Sequence, residues 1–442
     1  MPSRNSHAVR VAVLADSDTR WKWGALTARR IVPEERDTEL SGFLLRGRAT
    51  PTARQLAEVG AERDAPREVT GNVFLQTLRD ESYDIVVLAL VGGAVQAMLH
   101  GVSALRLPRR PVLVTGYVGV VYEKLSDGLL LRHGADVVLA NSRHDAGRFR
   151  SVYEGVGADA SSVTEAALPF LGGERYVPAE GRDTVVFAAQ PSVPLSRADR
   201  SYVLKRLVEH ARLHPSREVL LKLRSQVGEH TTHIEEFPYQ RLAEKIPGGL
   251  PPNFQLVYGN MGEVLDRTDL LVTVSSTAAL ESLHRRIPTA ILTDLGVREP
   301  LGNHHFIGSG CLASWDQLDG GHRPKADAVW ADRQGVAADG SYSSAFDQAR
   351  GRVAKLLDEQ AEGQLPAIAP YYTTTTAPGY LPPLLSRYHL APDGSPLAER
   401  AGGNSTNGVR RVVREAVRGA ARGAYRHGVQ RVAPVIRRMG EL

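Results

Sequence analysis

Ser275-Ser276-Thr277 sets three hydroxyls where an apolar run, Leu270 to Val274, gives way to a segment of helical spacing. Hydroxyl side chains there accept from the free N–H groups of a helix start, and those groups with the helix dipole form an anion site that fits a phosphate or diphosphate. The same residues serve equally well as a plain cap. Glu281 follows one turn on. Gln190-Pro191 stands just past the run Thr184 to Ala188, and Lys222 and Arg224 emerge in alternation from Glu218 to Leu223, with His230 and His233 just beyond. Near the N-terminus, Arg10 to Ala15 leads into Asp16-Ser-Asp-Thr-Arg-Trp-Lys-Trp-Gly24, read as a polar and aromatic loop. Asp16, Asp18, Arg20 and Trp23 then lie where an open α/β sheet puts its ligands, or where an aspartate caps a helix. Glu123, beside the Tyr117 loop, is a further carboxylate at a strand end, with a surface turn as the equal alternative. Asp16-Ser-Asp18 has the bare spacing of an Asp-x-Asp metal motif, but no metal site is expected.

These residues need strands to carry them. Apolar, β-branched runs at Arg10 to Ala15, Ser41 to Leu45, Asp84 to Leu90, Pro111 to Thr115 and Val137 to Ala140 alternate with helical segments, which predicts a doubly wound parallel domain over residues 1–172. Gly92-Gly93 opens a helix after the strand at Asp84, where glycines admit a ligand closely. Pro169 to Gly181 reads as an interdomain linker. A second alternation, 182–362, holds strands at Thr184 to Ala188, Glu218 to Leu223, Phe254 to Tyr258, Leu270 to Val274 and Thr289 to Thr293, a long helix from Arg197 to His214, and a helix from Ser343 to Gln360 that would close this domain. The fold expected is α/β, two Rossmann-like domains facing across a cleft, with ligands between them. Residues 363–408 are rich in Pro and Gly and predict irregular chain ending in a hinge.

Composition agrees. The 442 residues are 42% hydrophobic and 23% charged, with a single cysteine, Cys311, which excludes an internal disulfide framework and a multi-cysteine zinc site. A reducing cytoplasm fits. The N-terminal apolar run ends at Asp16 and reads as a strand, not a signal peptide, and no run reaches the length of a membrane span. The net charge of +5 is concentrated at the C-terminus. Arginines at 410, 414, 418, 422 and 426 recur every fourth residue beside Val413, Val417, Ala420, Ala421 and Ala424. That is the pattern of an interfacial helix on anionic lipid. A basic arm for nucleic acid is the weaker reading, since Tyr425 is the only aromatic available for base stacking, and no nucleic-acid partner is expected.

The segment 180–300 resembles the nucleotide-binding domain of GT-B glycosyltransferases, above all bacterial polysaccharide enzymes that use CMP-activated sugars, such as polysialyltransferases and capsule Kdo transferases. Val186-Phe-Ala-Ala-Gln-Pro191 resembles the Gln-Pro motif of the Kdo enzymes, and Val274-Ser-Ser-Thr277 with Glu281 is similar to the Ser-Ser/Thr motif that holds donor phosphate. Those families carry Lys-Pro-His-Pro where this chain has Lys222-Leu-Arg-Ser225, so Arg224 takes the place of a histidine. An arginine neutralises phosphate but does not titrate. His230 would be the substitute histidine, and UDP-, GDP- and CDP-linked donors stay open.

The resemblance implies a glycosyltransferase without metal or other cofactor. Its donor nucleotide would be held by Gln190, Lys222, Arg224, His230, Ser275, Ser276, Thr277 and Glu281, with Asp18, Asp16 or Glu123 as the catalytic carboxylate. The acceptor would be a cell-envelope polysaccharide or a lipid-linked glycan at the cytoplasmic face of the membrane, reached through 409–438. The rival readings are a sugar-nucleotide epimerase of the same architecture and a non-catalytic binding protein recruited to membranes by its tail.

Overall fold

The computed structural model describes residues 8–47, 50–60, 65–119, 124–226, 229, 235–336 and 341–397. Glu123, His230, His233 and the basic tail lie outside the described residues.

The first sheet is built from β1 (Val9–Ala15), β2 (Thr38–Leu45), β3 (Arg67–Val69), β4 (Ile85–Ala89), β5 (Val112–Gly116), β6 (Val137–Ala140) and β7 (Val163–Glu165). Every neighbour pair is parallel and the order is β3-β2-β1-β4-β5-β6-β7. Both faces are covered, which is why the inner strands read as unbroken apolar runs. Val86 and Leu88 point into one core with Phe74 and Leu99, while Ile85 and Val87 point into the other with Trp21 and Ala28.

The second sheet holds β8 (Thr184–Ala188), β9 (Glu218–Lys222), β10 (Phe254–Val257), β11 (Leu270–Thr273), β12 (Thr289–Leu292) and β13 (Leu312–Ala313). It is again all parallel, in the order β10-β9-β8-β11-β12-β13. Each sheet therefore reverses its winding at one place, between β1 and β4 and between β8 and β11. The carboxyl ends at such a reversal are where open α/β sheets bind ligands.

Three expectations change. The stretch after β1 is not a loop: Ser17 caps a helix, Asp18–Ile31, by accepting from the Arg20 N–H. Trp23 on that helix is 1% exposed and packs in the core, so it is not a ligand residue. The helix expected to close the second domain, observed as Asp347–Ala361, returns to the first, where Ala349, Val353, Leu356 and Leu357 join the core beneath Trp21 and Ala28. The segment beyond it follows: Leu381, Leu384, Leu385 and Leu390 are buried against the first domain's other face. The linker is packed only at its start, where Leu171, with Leu168 just ahead of it, is buried beside Leu280 and Leu283 of the helix Ala278–His284, while most of 173–181 is exposed.

Candidate functional site

The carboxyl ends of the two sheets face each other across a cavity of about 670 Å³. Its second-domain wall carries Gln190, Lys222, Arg224, Ser275, Ser276, Thr277 and Glu281, so seven of the residues named from sequence converge there. Gln190, just past β8, is the strut of this wall. Its Oε1 accepts the Ser275 N–H at 3.0 Å and its Nε2 donates to Ser275 Oγ at 3.2 Å, which fixes the turn after β11. Ser276 Oγ accepts the Ala278 N–H at 3.2 Å, a turn contact ahead of the helix Ala278–His284, whose N-cap residue Thr277 makes no side-chain cap bond, so the plain capping reading does not hold. Thr277 is left to meet the opposite wall: a methyl group on Gly119 would come within 3.1 Å of its Oγ1.

Lys222 ends β9 as a buried ammonium that, among the described residues, donates only to the Leu223 carbonyl, at 2.8 Å, and burial pushes its pKa down to about 8. Glu281 is buried too, and desolvation raises its pKa against the attraction of Lys22, Arg285 and Lys222. A nearly dry wall bearing an ammonium and a carboxyl suits a ligand with one anionic end and one hydroxyl-rich end.

The first-domain wall carries Asp18, Thr19, Arg20, Lys22, Tyr117 and Arg132. Asp18 and Arg224 bridge the cleft: Arg224 Nη2 donates to Asp18 Oδ1 at 2.7 Å and to Thr19 Oγ1 at 2.5 Å. Asp16 has both oxygens engaged inside its own domain. Oδ1 pairs with Arg20 at 2.8 Å and Oδ2 accepts the Val91 N–H at 2.9 Å. It thus ties the end of β1 to the end of β4, as Gln190 ties β8 to β11, and the two winding reversals are held by the same device. Arg54 and Glu58 add contacts across the cleft, to Glu229 and to the Gly259 N–H.

Sequence reasoning passed over Lys22, Glu58 and Arg132. Lys22 sits in a string read as loop, and the other two lie on elements whose facing is set only by the tertiary fold. Among the described residues one group, His210, His214 and Asp319, has side-chain atoms close enough to share a metal ion. None of them lines the cleft, and Arg217 and Arg206, bonded to His210 and Asp319, oppose a cation there. Among the described residues no helix is long and apolar enough to cross a membrane.

No curated protein matches the chain. Among solved structures, the S. aureus MnaA–UDP co-structure is similar at a TM-score of 0.52 and 11% identity, covering 81% of this chain and 98% of that one. A Listeria monocytogenes structure titled "putative UDP-N-acetylglucosamine 2-epimerase" is similar at a TM-score of 0.50 and 12% identity, covering 82% of this chain and 98% of that one. At these identities the likeness is one of fold, two Rossmann-like domains in the GT-B arrangement. A family model described as "Putative glycosyltransferase (DUF6716)" matches residues 11–356, from β1 to the helix that returns to the first domain, and the chain belongs to that glycosyltransferase family.

Proposed function

We propose that the chain moves a sugar from a nucleotide-activated donor to an acceptor hydroxyl, with the donor nucleotide against the second-domain wall. The observation that carries this is Lys222, a buried ammonium with no ion pair among the described residues, beside the Ser275–Thr277 hydroxyls and within the field of Glu281. Lys222 and Arg224 would neutralise the donor phosphate, and Glu281 would accept from ribose hydroxyls. In the transfer, the bond from the anomeric carbon to the phosphate oxygen breaks and its electrons stay on the phosphate. Fixed cations stabilise that charge without reorganising. The acceptor oxygen bonds to the same carbon and gives its proton to a carboxylate of the first domain. Asp18 is that carboxylate: donor phosphate draws Arg224 away from it, and the freed oxygen faces the cleft. Asp16 acts as a strut.

The Gln-Pro and Ser-Ser-Thr resemblance favours a CMP-linked acidic sugar such as a nonulosonic acid or Kdo, whereas MnaA, similar in fold, was solved with UDP. Thermal stabilisation by CMP, CDP, UDP and GDP decides between them, because a bound ligand stabilises by the logarithm of its concentration over its Kd. Ser276→Ala and Lys222→Ala are expected to weaken the selected nucleotide by roughly tenfold or more, the usual cost of a lost bond to a charged group. Unchanged affinity in both variants would overturn the site. Rapid conversion of the donor into an isomeric nucleotide sugar with no acceptor present would replace transfer with epimerisation, whereas slow hydrolysis would not. The acceptor follows from the tail: a cell-envelope polysaccharide or lipid-linked glycan at an anionic membrane face.

A further inference from the structure

Arg132 is 5% exposed at the foot of the first-domain wall, and among the described residues no carboxylate bonds to it. Its Nε donates to the Gly116 carbonyl at 3.0 Å, Nη1 to Gly128 at 2.7 Å and Nη2 to Leu90 at 3.3 Å, so it gathers the ends of β4 and β5. The Tyr117 ring lies 4.0 Å above it. Carbonyls and a ring orient a guanidinium without neutralising it, and a buried charge without a counter-ion is costly. Among the described residues three of its five N–H groups find acceptors, which leaves one on each terminal nitrogen.

A second donor set adjoins it. The helix Gly92–Leu105 begins with two glycines and has no side-chain cap. Ala94 and Val95 close on the Val91 carbonyl and Val91 donates to Asp16, while the Gly92 and Gly93 amides have no acceptor among the described residues. Gly92 has no alternative: a Cβ there would strike Leu131 at 2.9 Å and sit 3.4 Å from Arg132 Nη1. Asp16, the carboxylate whose charge is felt at Arg132 among the described residues, is already matched by Arg20, so the corner keeps positive charge. It is also close to the donor wall, because the 117–119 turn that covers Arg132 is the turn whose Gly119 meets Thr277.

We infer that Arg132 and the Gly92–Gly93 amides form a second anion subsite, on the first-domain wall, that takes the carboxylate or phosphate of an acidic sugar bound beside the donor nucleotide. The position relative to the nucleotide rests on the reading above; the anion subsite itself does not. The acidic group belongs either to the sugar being transferred or to the acceptor.

The test is calorimetric titration of the full chain, wild type and Arg132→Gln, with and without saturating nucleotide. Glucuronate and glucose 1-phosphate are compared with glucose, and UDP-glucuronate with UDP-glucose. Wild type should prefer the acidic member of a pair by about tenfold or more, and Arg132→Gln should lose that preference while binding nucleotide within about twofold of wild type. A preference among the free sugars places the acid on the acceptor, and one seen only between the UDP-sugars places it on the donor. No preference in either arm, or one that survives Arg132→Gln, overturns the inference. Should Arg132→Gln not fold, Arg132→Lys replaces it: a lysine cannot present two parallel donors, so the preference should fall several-fold, and an unchanged preference counts against the subsite. An Arg132-dependent preference in a chain that binds no nucleotide would remove the donor reading and leave the subsite standing.

Discussion

In the proposed site Lys222 favours an anionic ligand, while its burial works against the fold. Burial lowers its pKa from 10.5 to about 8, partly offset by the Glu58 carboxylate. The unfolded chain therefore binds the extra proton between those two values, so stability rises with pH across that window and is lowest below it. The displacement corresponds to a cost on the order of 3 kcal/mol at neutral pH. Lys222→Met, which keeps the stem and drops the charge, should accordingly raise the thermal midpoint by several degrees at pH 7. The gain should shrink as pH passes from 8 towards 10.5. Nucleotide affinity should move the other way, weak and flat with pH in the variant, and falling above about pH 8 in wild type as the ammonium is lost. Melting curves and titrations over that pH range check both halves, and a variant that is less stable yet binds nucleotide normally would contradict the assignment.

At the scale of elements, Asp16 and Gln190 occupy matching places, each tying the first strand of its domain to the loop after the fourth. The match separates two carboxylates that sequence spacing could not. Asp16→Asn retains an oxygen for the Val91 N–H and loses only the Arg20 pair, so transfer should persist within about tenfold of wild type. Asp18→Asn removes the proposed proton acceptor and should cost about a hundredfold or more. Steady-state rates with saturating donor distinguish them, and a larger loss at Asp16 would exchange their roles. The inner strands were legible because strands buried on both faces are apolar throughout. β3, β7 and β13 are two or three residues long and leave no periodic trace. The helix at 347 shows an apolar face in the sequence, but a face does not name the sheet it covers. Ser275 to Thr277 and Gln190 were readable from their places at strand ends. Arg132 was not, since what distinguishes it is the lack of a bonded carboxylate among the described residues, which only the fold reveals.

The whole molecule is two domains joined on one side by packed chain and bridged on the other by ion pairs. Leu168, Leu171 and the returning helix Asp347–Ala361 make the first connection, and Arg224–Asp18 and Arg54–Glu229 the second. What brings this body to an acceptor is the proposed role of residues 409–442. That segment has nine arginines and two glutamates, a net +7, while the entire chain carries +5, so everything before it is slightly acidic and its net charge does not draw it to an anionic surface. Each arginine near such a surface contributes about 1 kcal/mol, and the attraction is screened by salt. The full chain should therefore sediment with vesicles containing phosphatidylserine, release as ionic strength rises, and ignore neutral phosphatidylcholine vesicles. A chain ending at residue 408 should lose sedimentation and keep its stabilisation by nucleotide. Equal binding by the shortened chain, or equal binding to neutral vesicles, would remove the membrane from the reading, whereas loss of nucleotide binding on truncation would make the tail part of the donor site instead.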